Sequence, residues 1–247
     1  MAAMRRRRAA ILTAACLAIF GAAGILARAP RSRAEFRPSA AGPNPASVFV
    51  EDRGTFRIVV NGQQMGKEEF EINPNGGNWV AHGSSEVQTA DGLQRVSGTL
   101  QLRPDGAPVR YEWSTQGKKK ASAAVEFSNL TATIELHLEG AHPYTQQFTY
   151  NTSPIVVLDN NLYHQYAVLA RLYDRQKKGA QTFSVLVPQS LAPGTITVES
   201  LGNQDVNGKK LEELTAKTED LEIDLYLDGG RLVRLVAPTN NAEIVRE

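Results

Sequence analysis

The sequence predicts a mainly β protein: a large curved antiparallel sheet or half-barrel with one central helix, at about 159–177, packed on its concave face, plus an N-terminal signal or anchor helix. Three observations lead there. Short segments of alternating apolar and polar residues follow one another with turn signals at near-regular spacing, the mark of a meander rather than of βα units. A single stretch carries a strong helical period. An arginine block followed by an apolar run opens the chain.

Arg5, Arg6, Arg7 and Arg8 precede the uncharged run 9–27, AAILTAACLAIFGAAGILA. A positive block before an apolar segment is the pattern of an export signal. The run's 19 residues also suffice to span a bilayer core, so residues 1–29 read either as a signal peptide, cut near Ala27-Arg28-Ala29 or Gly21-Ala22-Ala23, or as a retained membrane anchor. The expected location is the periplasm, with the protein soluble after cleavage or tethered to the inner membrane by residues 9–27. Cys16 is the single cysteine and falls inside this run, so the exported part has no disulfide and must hold by its core. Residues 30–47, rich in Pro and Ala, read as a linker, and 48–247 as one β-rich domain. Removing residues 1–35, with their seven arginines and one acid, leaves 20 basic and 25 acidic residues, a net charge of −5. A body with that balance does not attract phosphate backbones, so no nucleic-acid partner is expected.

Within the domain, residues 55–61 and 64–73 flank Asn61-Gly62, a hairpin pair, and Gly66 is expected to bulge the second strand. Strands follow at 79–89 and 93–102 around Asp91-Gly92, then at 109–116, 121–127 and 131–139. In 131–139, Ala132, Ile134, Leu136 and Leu138 alternate with Thr133, Glu135 and His137, giving one dry face and one wet face. Residues 154–158 lead into the helix. Strands resume at 181–187, 194–201, 209–218, 221–227 and 231–236, the last two joined by Asp228-Gly229-Gly230.

The helix is predicted from Asp159, a good N-cap residue, with Leu158 and Tyr163 placed as a hydrophobic staple. Leu162, Tyr166, Leu169 and Tyr173 recur at i, i+4, i+7 and i+11, with Tyr163, Ala167 and Ala170 beside them. Lys177 and Lys178 oppose the negative end of the dipole, and Gly179 closes the helix. So broad an apolar face requires a sheet to cover it.

Chemistry-bearing motifs are sparse. His82, His137, His142 and His164 fall on different elements and lack metal-ligand spacing, so no metal is expected. No Walker motif is present and no glycine-rich loop opens a helix, so no cofactor is expected either. Gly83-Ser84-Ser85 and Gln189-Ser190-Leu191 lack the G-x-S-x-G frame of a hydrolase nucleophile. Glu222 and Asp224 share one strand face, either as a paired-carboxylate site or as an ordinary wet face. No catalytic residue is assigned. The remaining group is Trp79, Tyr111, Trp113, Tyr163, Tyr166, Leu169 and Tyr173. These read either as plain core or as the lining of an apolar cleft between sheet and helix with tyrosine hydroxyls at its mouth.

The chain resembles a family of exported bacterial proteins of uncharacterised function, similar in layout to the half-barrels of envelope lipoprotein carriers. The residues that carry the resemblance are Val60-Asn61-Gly62 followed by Gly66 and Phe70, the pair Leu158-Asp159 before a Tyr- and Leu-rich helix, and the hairpin Leu227-Asp228-Gly229-Gly230-Arg231-Leu232. It covers roughly residues 52–247 and implies a concave face that holds a helix and, in carriers, an acyl chain. It implies no catalytic residues. The expected function is therefore a noncatalytic envelope protein that binds or carries a lipid or other apolar ligand. The alternatives are a structural or protein-interaction module with an envelope-protein partner and, third, a hydrolase.

Overall fold

The structure, a computed structural model, describes residues 47–118 and 120–247. The signal or anchor expected over 1–29, and all but the last residue of the expected linker, lie outside the described residues. Among the described residues no helix is long and apolar enough to cross a membrane.

The chain runs through β1 (Asp52–Val60), β2 (Gln63–Asn75), β3 (Asn78–Thr89), β4 (Gly92–Leu102), β5 (Pro108–Gln116), β6 (Ala121–Ser128), β7 (Thr131–Leu138), β8 (Tyr144–Thr149) and the short β9 (Ile155–Val157). Helix α1 (His164–Leu172) follows, then β10 (Gln181–Val187), β11 (Ala192–Val206), β12 (Lys209–Lys217), β13 (Glu222–Asp228), β14 (Arg231–Ala237) and β15 (Ala242–Arg246). All 15 strands belong to one sheet, in the order β8-β7-β6-β5-β4-β3-β2-β1-β15-β14-β13-β12-β11-β10-β9. Two antiparallel meanders thus spread in opposite directions from a central seam, where β15 pairs with β1 from Phe56↔Arg246 to Val60↔Ala242. The predicted large curved sheet with one helix is the fold found.

One ladder departs from the antiparallel rule. Strands β9 and β10 are parallel, in register from Ser184↔Ile155 to Leu186↔Val157. Parallel neighbours need a crossover, and α1 with its flanking loops is that crossover. The helix is therefore the connection that turns the chain back along the sheet, and its apolar face lands on the concave side.

Contacts across the sheet establish its curvature. The helix touches both β3 and β14, strands separated in the order by β2, β1 and β15. On a flat sheet those two strands would stand roughly 19 Å apart at about 4.8 Å per ladder, too far for one helix to reach both. The β9 edge also approaches β5, so the sheet curls nearly into a barrel. Bulges assist. The β1–β2 register shifts between Ile58 and Val59, beside the expected bulge at Gly66. A Cβ on Gly66 would run into the backbone oxygen of Glu86 on β3, so only glycine fits.

The helix is shorter than the sequence predicts, His164–Leu172 instead of about 159–177. Its N-cap position is Tyr163, without a side-chain cap of its own, because Asp159 is engaged elsewhere. It stops at Tyr173, whose backbone is extended, and Arg175 takes the place expected for Lys177 and Lys178 by donating to the carbonyls of Ala170 and Tyr173 at 3.3 and 3.4 Å. Leu162, Val168, Leu169 and Tyr173 are buried in one core with Phe56, Phe70, Leu214 and Leu225. Strands β8 and β15 are not predicted from the sequence. In β8 only Phe148 is buried, so no alternation shows; β15 is five residues long with one fully buried side chain, Ile244.

Candidate functional site

The two ends of α1 are built differently, and each end collects the polar residues of the interior. At the N-terminal end the sheet is stripped of side chains. Gly83 on β3 pairs with Gly98 on β4, and the chain entering the helix settles onto this bare backbone. A Cβ on Gly83 would overlap the His164 ring and come within 2.7 Å of Glu68 Oε1, and one on Gly98 would meet Leu162 Cδ1 at 2.6 Å and the Tyr111 hydroxyl at 2.8 Å.

Glu68, on β2 with zero exposure, points into this contact. Its Oε2 accepts from the backbone N–H groups of Tyr163 and His164 at 2.8 and 3.1 Å. Its Oε1 lies 2.6 Å from Nδ1 of His164, which donates in the tautomer that leaves Nε2 bare. The first turn of a helix has unbonded N–H groups and a partial positive charge, and a carboxylate there satisfies both. The cap that the local sequence fails to provide is thus delivered from a strand 95 residues away. His164 stacks at 6.2 Å on Phe70, itself stacked on Phe56 at 4.8 Å. Ser85 is the cross-strand neighbour of Glu68 and is likewise fully buried. Ser85 Oγ and His164 Nε2 have no hydrogen-bond partner among the described residues. Serine, glutamate and histidine therefore share one dry cluster, sealed from solvent, and its evident work is to fix the helix to the sheet.

A second polar knot adjoins it. Asp159 accepts from the Tyr111 hydroxyl at 2.9 Å and from the Gln189 N–H at 2.9 Å, while its own N–H donates to Gln165 Oε1 at 2.5 Å. Burial pushes the Asp159 carboxyl up to about 7, against the opposing pull of hydrogen bonds from Gln189 and Tyr111. The Tyr111 hydroxyl is held well above its ordinary value, by burial first and by the Asp159 charge second.

The C-terminal end of α1 opens to solvent. A hollow of about 460 Å³ is lined by Tyr173, Arg175, Lys178, Gly179, Leu201 and neighbours. A second, of about 380 Å³, is lined by Asn203, Lys210, Leu227, Gly229, Gly230 and others. Both have Arg175, Ser200, Gly202 and Glu212 in their walls, so they form one depression between the post-helix loop, β11, β12 and the β13–β14 turn. Arg175 is clamped to Glu212, Nε at 2.8 and 3.1 Å and Nη2 at 3.0 Å. The Tyr173 hydroxyl donates to the Gly179 carbonyl at 2.9 Å and accepts from the Ser200 N–H at 3.3 Å, which fixes the floor.

The seven cleft candidates are divided by this arrangement. Tyr111, Trp113, Leu169 and Tyr173 are buried, while Trp79, Tyr163 and Tyr166 are partly buried and packed on the core. Trp79 tilts against Phe49 at 5.8 Å, Tyr111 is tied to Asp159 near the N-terminal end, and Tyr173 lines the open depression. Burial raises the Tyr166 hydroxyl to about 12. The paired carboxylates lie on β13, whose buried residues are Ile223, Leu225 and Leu227, so Glu222 and Asp224 face outward; Glu222 pairs with Lys217 at 3.0 Å. The histidines stay apart, His82 on Thr99 at 2.9 Å and His137 on Glu135 at 3.0 Å. Among the described residues no group of three or more His, Cys, Asp or Glu could hold a metal ion. Sequence reasoning missed Glu68, Gly83, Gly98 and Arg171. The one available signal was Glu68, an acid at a position that faces the dry side of its strand, between Gly66 and Phe70.

No protein-family model matches the chain, and no match is found among curated proteins. Among solved structures it is similar to the crystal structure of a β-barrel-like protein of the domain of unknown function DUF1849 from Brucella abortus. The TM-score is 0.53 at 10% identity, over 80% of this chain and 95% of that one. The likeness is one of fold: this is a β-barrel-like protein, similar to one whose function is unknown.

Proposed function

We propose that this chain is a noncatalytic, exported envelope protein that holds a lipid or other apolar ligand, with the ligand seated at the C-terminal end of α1. One observation carries the reading. The double depression around Tyr173 combines the apolar residues Tyr173 and Leu227, and the exposed Leu201 at its edge, with the charged residues Arg175, Lys178 and Lys210. Each half falls within the roughly 300–1,000 Å³ of small-molecule sites, which are apolar with a few oriented polar groups. The dry cluster at the other end supports the same reading, because it fixes the helix as a rigid wall. Protein exported by its own signal and purified without detergent is expected to yield one extractable lipid class by mass spectrometry. Reproducibly empty protein, unaltered in thermal midpoint by added lipid, would overturn the proposal.

A second reading, an interaction module, has its own support at the opposite edge. Strand β8 ends the sheet, and Tyr144 on it and Leu138 on β7 are 51% and 46% exposed. An unpaired edge with apolar side chains is suited to strand addition. Crosslinking from Tyr144 that repeatedly captures one envelope protein, together with an absence of lipid, would favour it.

A further inference from the structure

The charged rim of the depression is not balanced within itself. Arg175 is neutralised by Glu212. Asp52, nearly buried, is held by Arg246 at 2.7 and 3.2 Å and approached by Arg231 at 3.8 Å. Behind the wall of the depression, outside its lining, stands Arg171, in the last turn of α1. It is half-buried, and no ion pair or side-chain hydrogen bond reaches its guanidinium among the described residues. Its Nη1 stands 2.9 Å from where a Cβ on Gly230 would sit, so it lies against the turn that walls the smaller hollow. Lys210 lines that hollow and is also without an ion pair among the described residues. Burial holds the Arg171 guanidinium below the usual arginine value, with Arg175 and Arg231 adding to the effect against Asp52 and Glu212. Arg171 is desolvated, and its two cationic neighbours are matched by two anionic ones, so its own charge is left for a bound anion to stabilise.

Gly229 and Gly230 both have positive φ, 55° and 78°. At Gly230 the turn brings bare backbone close to the guanidinium, where a side chain would fill the space. Opposite it, Gly202, at φ 83°, and the side chains of Ser200 and Asn203 complete a polar wall.

We propose that the hollow between the post-helix loop, β11, β12 and the β13–β14 turn is an anion-binding site for a phosphate- or carboxylate-bearing group, with Lys210 in its wall and Arg171 behind Gly230 as the cations that favour it. The inference rests on the ligand-holding reading above and deepens it: the ligand is an anionic amphiphile, its charged group beside Lys210 and the Gly230 turn that Arg171 backs, and its chain along Tyr173. A free phosphate offers the same chemistry without the chain, and the two sources are separable.

The test uses the exported chain and three probes: dodecyl phosphate below its micellar concentration, dodecyl maltoside below its own, and inorganic phosphate. Binding to the wild type, R171Q and K210Q is followed by titration calorimetry. Dodecyl phosphate is expected to bind at least tenfold more tightly than dodecyl maltoside, to weaken about tenfold in R171Q and several-fold in K210Q, and to weaken with added salt. The maltoside should bind all three alike. Competition by inorganic phosphate, with the same losses in both variants, would identify a free-anion site and would sink the apolar reading while sustaining this one. Equal binding of both dodecyl probes, unaffected by either substitution, would overturn the anion site and leave the apolar reading standing. Failure of every probe to bind would overturn both. Lys210 is exposed, so K210Q keeps the test valid if R171Q folds poorly.

Discussion

The two ends of α1 spend their polar residues in opposite ways. At the N-terminal end Glu68, Ser85, His164 and Gln165 are all buried, over a floor from which side chains have been removed at Gly83 and Gly98. At the C-terminal end Arg175, Lys178 and Lys210 surround open space, with Arg171 behind Gly230 in the turn that walls it. Glycine serves both ends, but to opposite effect: at one it lets helix and sheet close completely, at the other it leaves a gap. A single helix can thus be a fixed wall at one end and the side of a site at the other. Substitutions at the first should register in stability, and at the second in binding.

The largest effect is expected from Glu68→Ala. It strips two helix amides and a buried imidazole of their acceptor, and breaking a buried charged network of this kind costs about 3–5 kcal/mol. A denaturant midpoint lowered accordingly, with an unchanged m-value, would bear this out. A loss under about 1 kcal/mol would show that the N-terminal end is not the anchor, and the contrast between the ends would fail.

Next comes the pH dependence set by Asp159. Its carboxyl titrates near 7 when folded and near its ordinary 3.8 when unfolded. Between those values the folded chain holds a proton that the unfolded chain has released, so stability is highest on the acid side, falls as pH rises through the window, and is flat above about 7. At 1.4 kcal/mol per unit the decline approaches about 4 kcal/mol. Stability curves of the wild type and D159N between about pH 4 and 8 isolate it; parallel curves would contradict the assignment.

Gly98→Ala is a smaller change at the same end. Its methyl would meet Leu162 and the Tyr111 hydroxyl, and overpacking of this kind costs about 1–3 kcal/mol. Thermal denaturation reads it directly, and the same substitution at Gly202, where an added methyl would have nothing within 4 Å, separates crowding from the strain of a positive φ. The smallest effect belongs to the outer face: E222Q with D224N should shift stability by no more than about 0.5 kcal/mol, a control on folding for the rest of the series.

Much of this architecture is legible in the sequence because strands announce themselves by alternation. The hairpin at Asn61-Gly62, the bulge beside Gly66 and the turn at Asp228-Gly229-Gly230 follow from local chemistry and lie where expected. The helix is legible in kind but not in extent. Asp159 looks like an N-cap, yet Tyr111 and Gln189 claim its oxygens, and the cap comes from Glu68, which no local pattern links to residue 163. The same limit hides β15, whose pairing with β1 joins the two meanders although its five residues carry almost no periodicity. Of the cleft candidates, Tyr173 falls at the open depression and Tyr111 at the closed end. Arg171 gives no signal of its own, because a cation in the last turn of a helix is ordinary until the fold leaves it half-buried without an ion pair among the described residues.

Hydrogen–deuterium exchange of the exported chain, with and without dodecyl phosphate, tests the contrast most directly. Slow exchange at residues 162–168 in both states is expected, with ligand-dependent protection confined to 171–181, 200–212 and 227–231. Protection appearing instead at 162–168, or rapid exchange there in the free protein, would contradict the division of the helix into an anchored end and a binding end.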